Sequence, residues 1–214
     1  MNRRGRQPPV RPALPHTRAS VILAFVDHLW TPWRYAYVTQ EDTRESRAGV
    51  PAALAAWPGD RHCVFCNLIA AADYAIEHGM AEEAADRAAN IVLRGKTCYI
   101  CLNAYPYTSG HVMIVPHAHE ASLGGLAAET ALEMMALAQR TSRALERAYS
   151  PDGANLGLNL GKAAGAGVAD HLHMHVLPRW FGDTNFMTVT AETRVLPEIL
   201  EQSWHRLREA FAGI

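Results

Sequence analysis

The sequence predicts an α+β domain with a mainly antiparallel sheet, one long helix and a C-terminal helix. Three observations carry this expectation. Short apolar runs follow one another without regular alternation of strand and helix, which argues against a parallel, doubly wound sheet. Residues 123–149 place Leu126, Ala131, Met134, Met135, Leu137, Ala138 and Leu145 at helical spacing. Residues 171–177 read His-Leu-His-Met-His-Val-Leu, the period-two pattern of a strand with one buried face.

Taken in order, residues 1–18 hold five arginines, four prolines and no acidic residue. Such a composition cannot bury a core, and residues 1–28 are expected to be a disordered tail ahead of a single domain at 29–214. Residues 29–38 contain Trp30, Trp33, Tyr35 and Tyr37, an aromatic anchor for the domain. Residues 39–60 are rich in Ala, Gly and Pro and suit a surface excursion. Cys63-Val64-Phe65-Cys66 follows, then an Ala/Glu-rich stretch at 67–89 that should be helical. Strands at 91–93 and 97–102 form a hairpin through Arg94-Gly95-Lys96. A loop at 103–110 leads to a strand at 111–115, ended by Pro116. The long helix is stopped by Ser150-Pro151-Asp152-Gly153. Strands at 155–160 and 172–177 and a helix at 197–211 complete the chain, which has no internal repeat.

Composition narrows the function. With 214 residues, 49% of them hydrophobic, the chain can bury a sizeable core. A net charge of −1 supplies no basic field for long nucleic acid. No apolar run approaches the length of a membrane span. Four cysteines, among them the Cys63-x-x-Cys66 pair, suit a reducing, cytoplasmic compartment and metal binding better than a disulfide framework.

The chemistry concentrates at His171, His173 and His175. On a strand these imidazoles share one face while Leu172, Met174 and Val176 bury the other. A row of polar rings is expensive as packing and sensible as a site, since imidazole can be nucleophile, proton carrier or ligand near neutral pH. The three cannot share one metal ion, because the outer two span roughly 13 Å along a strand. The preceding loop, 159–170, is made of small residues whose backbone N–H groups can approach an anion. It is not a P-loop, since Gly161-Lys162 is followed by Ala163. Cys63-x-x-Cys66 could be a redox pair or half of a metal site. Cys98-Tyr99-Ile100-Cys101 repeats that spacing, but both cysteines lie on an apolar run that reads as core. Any zinc must therefore recruit histidines.

The His-x-His-x-His motif followed by apolar residues resembles the histidine triad (HIT) family of nucleotide hydrolases and transferases. Residues 103–119 and 178–187 are most similar to its bacterial branch containing diadenosine tetraphosphate phosphorylases, over about 29–211. The resemblance implies an α+β HIT-like core in a homodimer, with a nucleotide as small-molecule partner and no organic cofactor. It implies that His173 is the nucleophile, that His175 contacts phosphate oxygens, and that Asn103 contacts the ribose. Asn159, with Gly165, Gly167 and Val168, would stabilise developing charge. It further implies a structural zinc held by Cys63, Cys66, His119 and His171, with His117 as the competitor for His119. Where relatives often carry Gln or a hydroxyl residue before the triad, this chain has Ala166, Gly167 and Val168, so water and inorganic phosphate both stay open as final acceptor. Arg179, Thr184 and Asn185 are candidate donors to an acceptor phosphate, with Arg179 equally suited to tying the strand end to an acid, the commoner use of a surface arginine. A nucleoside phosphoramidate hydrolase and a non-catalytic nucleotide-binding module are the alternatives.

Overall fold

The structure, a computed structural model, describes residues 47–183 and 198–214. The expected tail at 1–28, the aromatic anchor at 29–38, Thr184 and Asn185 lie outside the described residues. The elements are α1 (Val64–Glu77), α2 (Glu82–Ala88), β1 (Ile91–Arg94), β2 (Cys98–Leu102), β3 (Val112–Pro116), α3 (Ala128–Tyr149), β4 (Gly153–Leu158), β5 (Met174–Arg179) and α4 (Leu200–Ala212). The strands form one fully antiparallel sheet in the order β1-β2-β3-β5-β4. The predicted fold class holds.

The sheet is covered on both faces. Cys98, Ile100, Leu102, Val112, Ile114, Met174 and Val176 pack against α3 and α4 through Met134, Leu137, Leu145, Trp204, Leu207 and Phe211. The other face presents Ile91, Tyr99, Cys101, Met113 and Val115 to Trp57, Phe65, Ala71, Ala72 and Ala85. Cys98 and Cys101 thus fill opposite faces, each fully buried, as the apolar run predicts. Residues of β2 are buried throughout because both faces are covered, so the strand shows no alternation of exposure.

Several boundaries differ from the sequence reading. The stretch 67–89 forms two helices, since the chain after α1 turns at Gly79 with φ +92°. The first of them begins at Val64, so Cys63 caps the helix and Cys66 sits in its first turn. The long helix begins at Ala128 because residues before it are held in turns, with the Glu120 carboxylate accepting the Ser122 N–H and the Ser122 hydroxyl accepting from Gly124. The last two strands sit about two residues from their predicted bounds. Leu158 pairs Met174, which leaves Asn159 in the loop, and Gly153 pairs Arg179.

α4 is fastened to the sheet by Trp204, which is 1% exposed and donates its indole N–H to the Ile91 carbonyl at 2.7 Å. Truncation opens a cavity and orphans that carbonyl. Trp204→Ala should destabilise the fold by about 3–5 kcal/mol, read from the midpoint of urea unfolding; a loss under 1 kcal/mol would remove α4 from the cooperative core.

Candidate functional site

The site grows from the entry to β5. His171 and His173 precede the paired strand, while His175 lies within it, opposite Gly157 on β4 and Met113 on β3. Leu172, Met174 and Val176 turn into the core as the alternation requires. The three imidazoles are left at graded depth: His171 is 2% exposed, His173 5%, and His175 half-buried. The His173 and His175 rings stand 4.9 Å apart, edge to face.

Fixed backbone groups assign one proton to each ring. The Nδ1 of His173 lies 2.9 Å from the His171 carbonyl oxygen, which can only accept, so Nδ1 carries the hydrogen. Burial holds the His173 pKa below its ordinary value, against the opposing pull of that hydrogen bond. The ring is neutral at pH 7, and Nε2 keeps its lone pair. Such a nitrogen is nucleophilic.

His175 is set by a residue that the sequence reading placed on a strand but gave no role, His111. It is fully buried. The backbone N–H of Tyr107 donates to His111 Nδ1 at 3.1 Å, and the Asn103 amide nitrogen stands 3.4 Å from the same atom. Nδ1 therefore accepts, and a neutral His111 holds its proton on Nε2, 3.0 Å from His175 Nδ1. His175 Nδ1 in turn accepts, which puts the remaining hydrogen on its Nε2. His175 Nε2 is thereby set as a donor. A fully buried histidine eight residues after Asn103 is the signal that could have found it, but only a known strand order makes it point at His175.

Asn103 itself orders its loop, its Oδ1 accepting the Tyr105 N–H at 2.9 Å. The loop before the triad closes on itself: Gly161 and Gly165 adopt φ +78° and +84° around a 3-10 turn at Lys162–Ala164. The Gly165 N–H donates to the Lys162 carbonyl at 3.0 Å, so it is used in closing the turn. Asn159 is half-buried, Gly167 exposed, and Val168 packs on the second core cluster. Arg179 forms a bidentate pair with Asp183 and donates to the Asn155 side-chain oxygen. It ties the end of β5 to the following turn.

Behind His171 lies a second cluster. Cys63, Cys66, His119 and His171 bring one ligand atom each to within 4.8 Å of one another. The Sγ atoms of Cys63 and Cys66 lie 3.2 and 3.5 Å from His171 Nδ1, and Cys66 Sγ lies 3.4 Å from His119 Nδ1. Ligands of a tetrahedral zinc stand about 3.4–3.8 Å apart, so this set fits such an ion with no large movement. The tautomers agree. His171 Nε2 meets the Pro116 carbonyl at 3.0 Å, hence carries hydrogen and leaves Nδ1 as ligand, the carbonyl being the usual outer partner of a metal-bound imidazole. Burial lowers the His171 pKa to about 4, keeping it neutral as ligation demands. Burial, with Cys63 alongside, pushes the Cys66 thiol up to about 12; a divalent cation is what would let the pair ionise. His119, not His117, completes the set, as the spacing implies; the His117 ring leans on Tyr99 instead.

The buried amide of Asn67 holds the turn in place, donating to the Ala48 carbonyl and to Asp60 and accepting from the Arg61 N–H. The Asn67–Asp60 bond, with the His62 and Arg47 N–H groups, lowers the Asp60 pKa to about 2.

Residues 84–182 match the HIT domain. The chain is 35% identical over 187 residues to the AP-4-A phosphorylase of Mycobacterium tuberculosis, covering 87% of this chain and 85% of that one. It is 27% identical over 134 residues to an adenosine 5'-monophosphoramidase of Saccharomyces cerevisiae, covering 63% and 70%. Among solved structures, a zinc-bound histidine triad family protein from Mycobacterium smegmatis superposes with a TM-score of 0.53 at 30% identity, over 71% of this chain and 94% of that one. Among the described residues, no helix is long and apolar enough to cross a membrane.

Proposed function

The chain belongs to the histidine triad family, and on that premise we propose that it cleaves a dinucleoside polyphosphate, diadenosine tetraphosphate above others, through a covalent nucleotidyl-His173 intermediate. The observation that carries the reading is the His173 Nδ1–H held by the His171 carbonyl at 2.9 Å, because it fixes the neutral, attacking tautomer. His173 Nε2 attacks the α-phosphorus. The N–P bond forms as the P–O bond to the leaving polyphosphate breaks, and the leaving oxygen keeps the electron pair. The positive charge left on the ring is stabilised by the same carbonyl. An acceptor oxygen then attacks the phosphorus, the N–P bond breaks, and His173 returns to neutral.

The other residues support this assignment. His175 would present Nε2–H to a phosphate oxygen, with Asn159 and the Gly167 and Val168 backbone beside it. Asn103 would reach the ribose from the loop that also orients His111. For the acceptor we favour phosphate. Its support is the 35% identity to the mycobacterial AP-4-A phosphorylase, since Arg179 is already engaged by Asp183 and Asn155.

Zinc at Cys63, Cys66, His119 and His171 would be structural. Four protein ligands leave it no open position, and it would link the start of α1 to the segments on either side of α3. A homodimer along β4 also belongs to the proposal. That strand lies at the sheet edge, exposed along most of its length, with Leu156 46% exposed and Leu132 and Met135 uncovered on α3.

Four outcomes test the reading. His173→Ala should lose turnover of diadenosine tetraphosphate by at least about four orders of magnitude while still binding AMP; a mutant with comparable turnover has no covalent step to lose. In the same assay, wild-type enzyme with phosphate should yield ADP and ATP, and AMP at a rate indifferent to phosphate would establish water as acceptor. Purified protein should carry about one zinc per chain, absent in Cys66→Ser together with several degrees of melting temperature; metal-free protein of unchanged melting temperature excludes the structural ion. Sedimentation should give a particle of two chains, and a species of 23.5 kDa at micromolar concentration would exclude the dimer.

A further inference from the structure

The C-x-x-C turn carries more than two thiols. Between them, Phe65 is 4% exposed and points its ring at the histidine row. Its centroid stands 4.9 Å from that of His173, tilted by 48°, and 5.4 Å from that of His171, edge to face. The Phe65 backbone is anchored independently, its carbonyl accepting the Tyr99 hydroxyl of β2 at 2.9 Å. Phe65 is therefore a fixed wall.

His171 makes the second connection. Its Nδ1 faces Cys63 and Cys66, while its own carbonyl accepts the His173 Nδ1–H. The nucleophile is thus held at two points by residues of the cation set or of the turn between two of its members. One is a hydrogen bond at Nδ1, and the other is an aromatic ring against the imidazole. A hydrogen bond at one nitrogen leaves the ring free to tilt about that contact. An adjacent rigid ring removes the tilt, which matters because an attacking atom misplaced by about 1 Å can lower a rate roughly a hundredfold.

We infer that Phe65 is a positioning residue for His173, and that through Phe65 and the His171 carbonyl the Cys63/Cys66/His119/His171 centre orients the nucleophile as well as stabilising the fold. The inference rests on the reading of His173 as nucleophile and of the four residues as a zinc centre. The distances that support it are properties of the folded chain.

The test uses the full-length, zinc-loaded protein labelled with 15N in histidine. Long-range 1H–15N spectra at one fixed pH report each ring's tautomer, and His173 is assigned from the signal missing in His173→Ala. Wild type should show His173 as a single Nδ1–H species. Phe65→Leu should keep its zinc and the His171 signals, yet show an averaged His173. Its kcat on diadenosine tetraphosphate should fall roughly tenfold with KM within about twofold. Phe65→Tyr, which keeps the ring, should restore both. Wild type stripped of zinc by a chelator should show the same averaging at His173. A zinc-loaded Phe65→Leu with the wild-type His173 signature and kcat overturns the inference. So does a loss of kcat that only tracks lost zinc. Absence of turnover in wild type overturns the proposed function, while the His173 signature still judges the positioning by itself.

Discussion

The site depends on where three imidazoles keep their single protons. Each ring is buried or half-buried, a neutral ring has one donor and one acceptor nitrogen, and the wrong choice at any ring would invert its chemistry. Backbone groups make the choice. Pro116 takes the His171 Nε2–H and turns Nδ1 toward the thiols. The His171 carbonyl takes the His173 Nδ1–H and frees Nε2. The Tyr107 N–H closes His111 Nδ1, and His111 passes the constraint to His175. Carbonyls and amides have fixed polarity, so they impose tautomers that side chains alone would leave ambiguous.

That arrangement needs a rigid frame, which the two-sided sheet supplies. β3 contributes both the Pro116 carbonyl and, just before its first residue, His111; β5 contributes His175 in register with Met113. The register holds because Ile114, Met174 and Val176 are packed beneath α3 and α4. A slip by one residue would exchange the histidine face with the apolar one and bury the imidazoles against Met134 and Leu145. Core packing on one face thereby secures proton positions on the other.

The cysteine turn adds a second constraint from the opposite layer. α1 starts within the C-x-x-C, so its first turn places Cys66 and Phe65 against residues more than a hundred positions later in the chain. Asn67 and Asp60 hold the approach to that turn with hydrogen bonds that do not depend on a cation. The ligand set is thus largely preformed, and an ion entering it would tighten contacts already made.

Sequence alone determined the fold class, the long helix, the assignment of Cys98 and Cys101 to the core and the identity of the histidine row. These are properties of periodicity, and burying one face of an element leaves a local signature in the residues of that element. The family resemblance also pointed to Cys63, Cys66, His119 and His171, four residues that the structure brings together. The break at Gly79 and the helical start at Val64 were less legible, because an Ala-rich run supports a helix wherever tertiary contacts place its ends. The roles of His111 and Phe65 were not legible, and for Arg179 a tie to an acid was one of two readings, with neither Asp183 nor Asn155 named as partner. One fully buried histidine on an apolar strand, a phenylalanine between two cysteines and an arginine after a proline each have a commonplace reading. Only the tertiary structure, by pairing β3 with β5 and laying α1 across them, brings His111 to His175, Phe65 to His173 and Arg179 to Asn155. Those contacts join residues far apart in the chain, and no local pattern records which partner a side chain will meet.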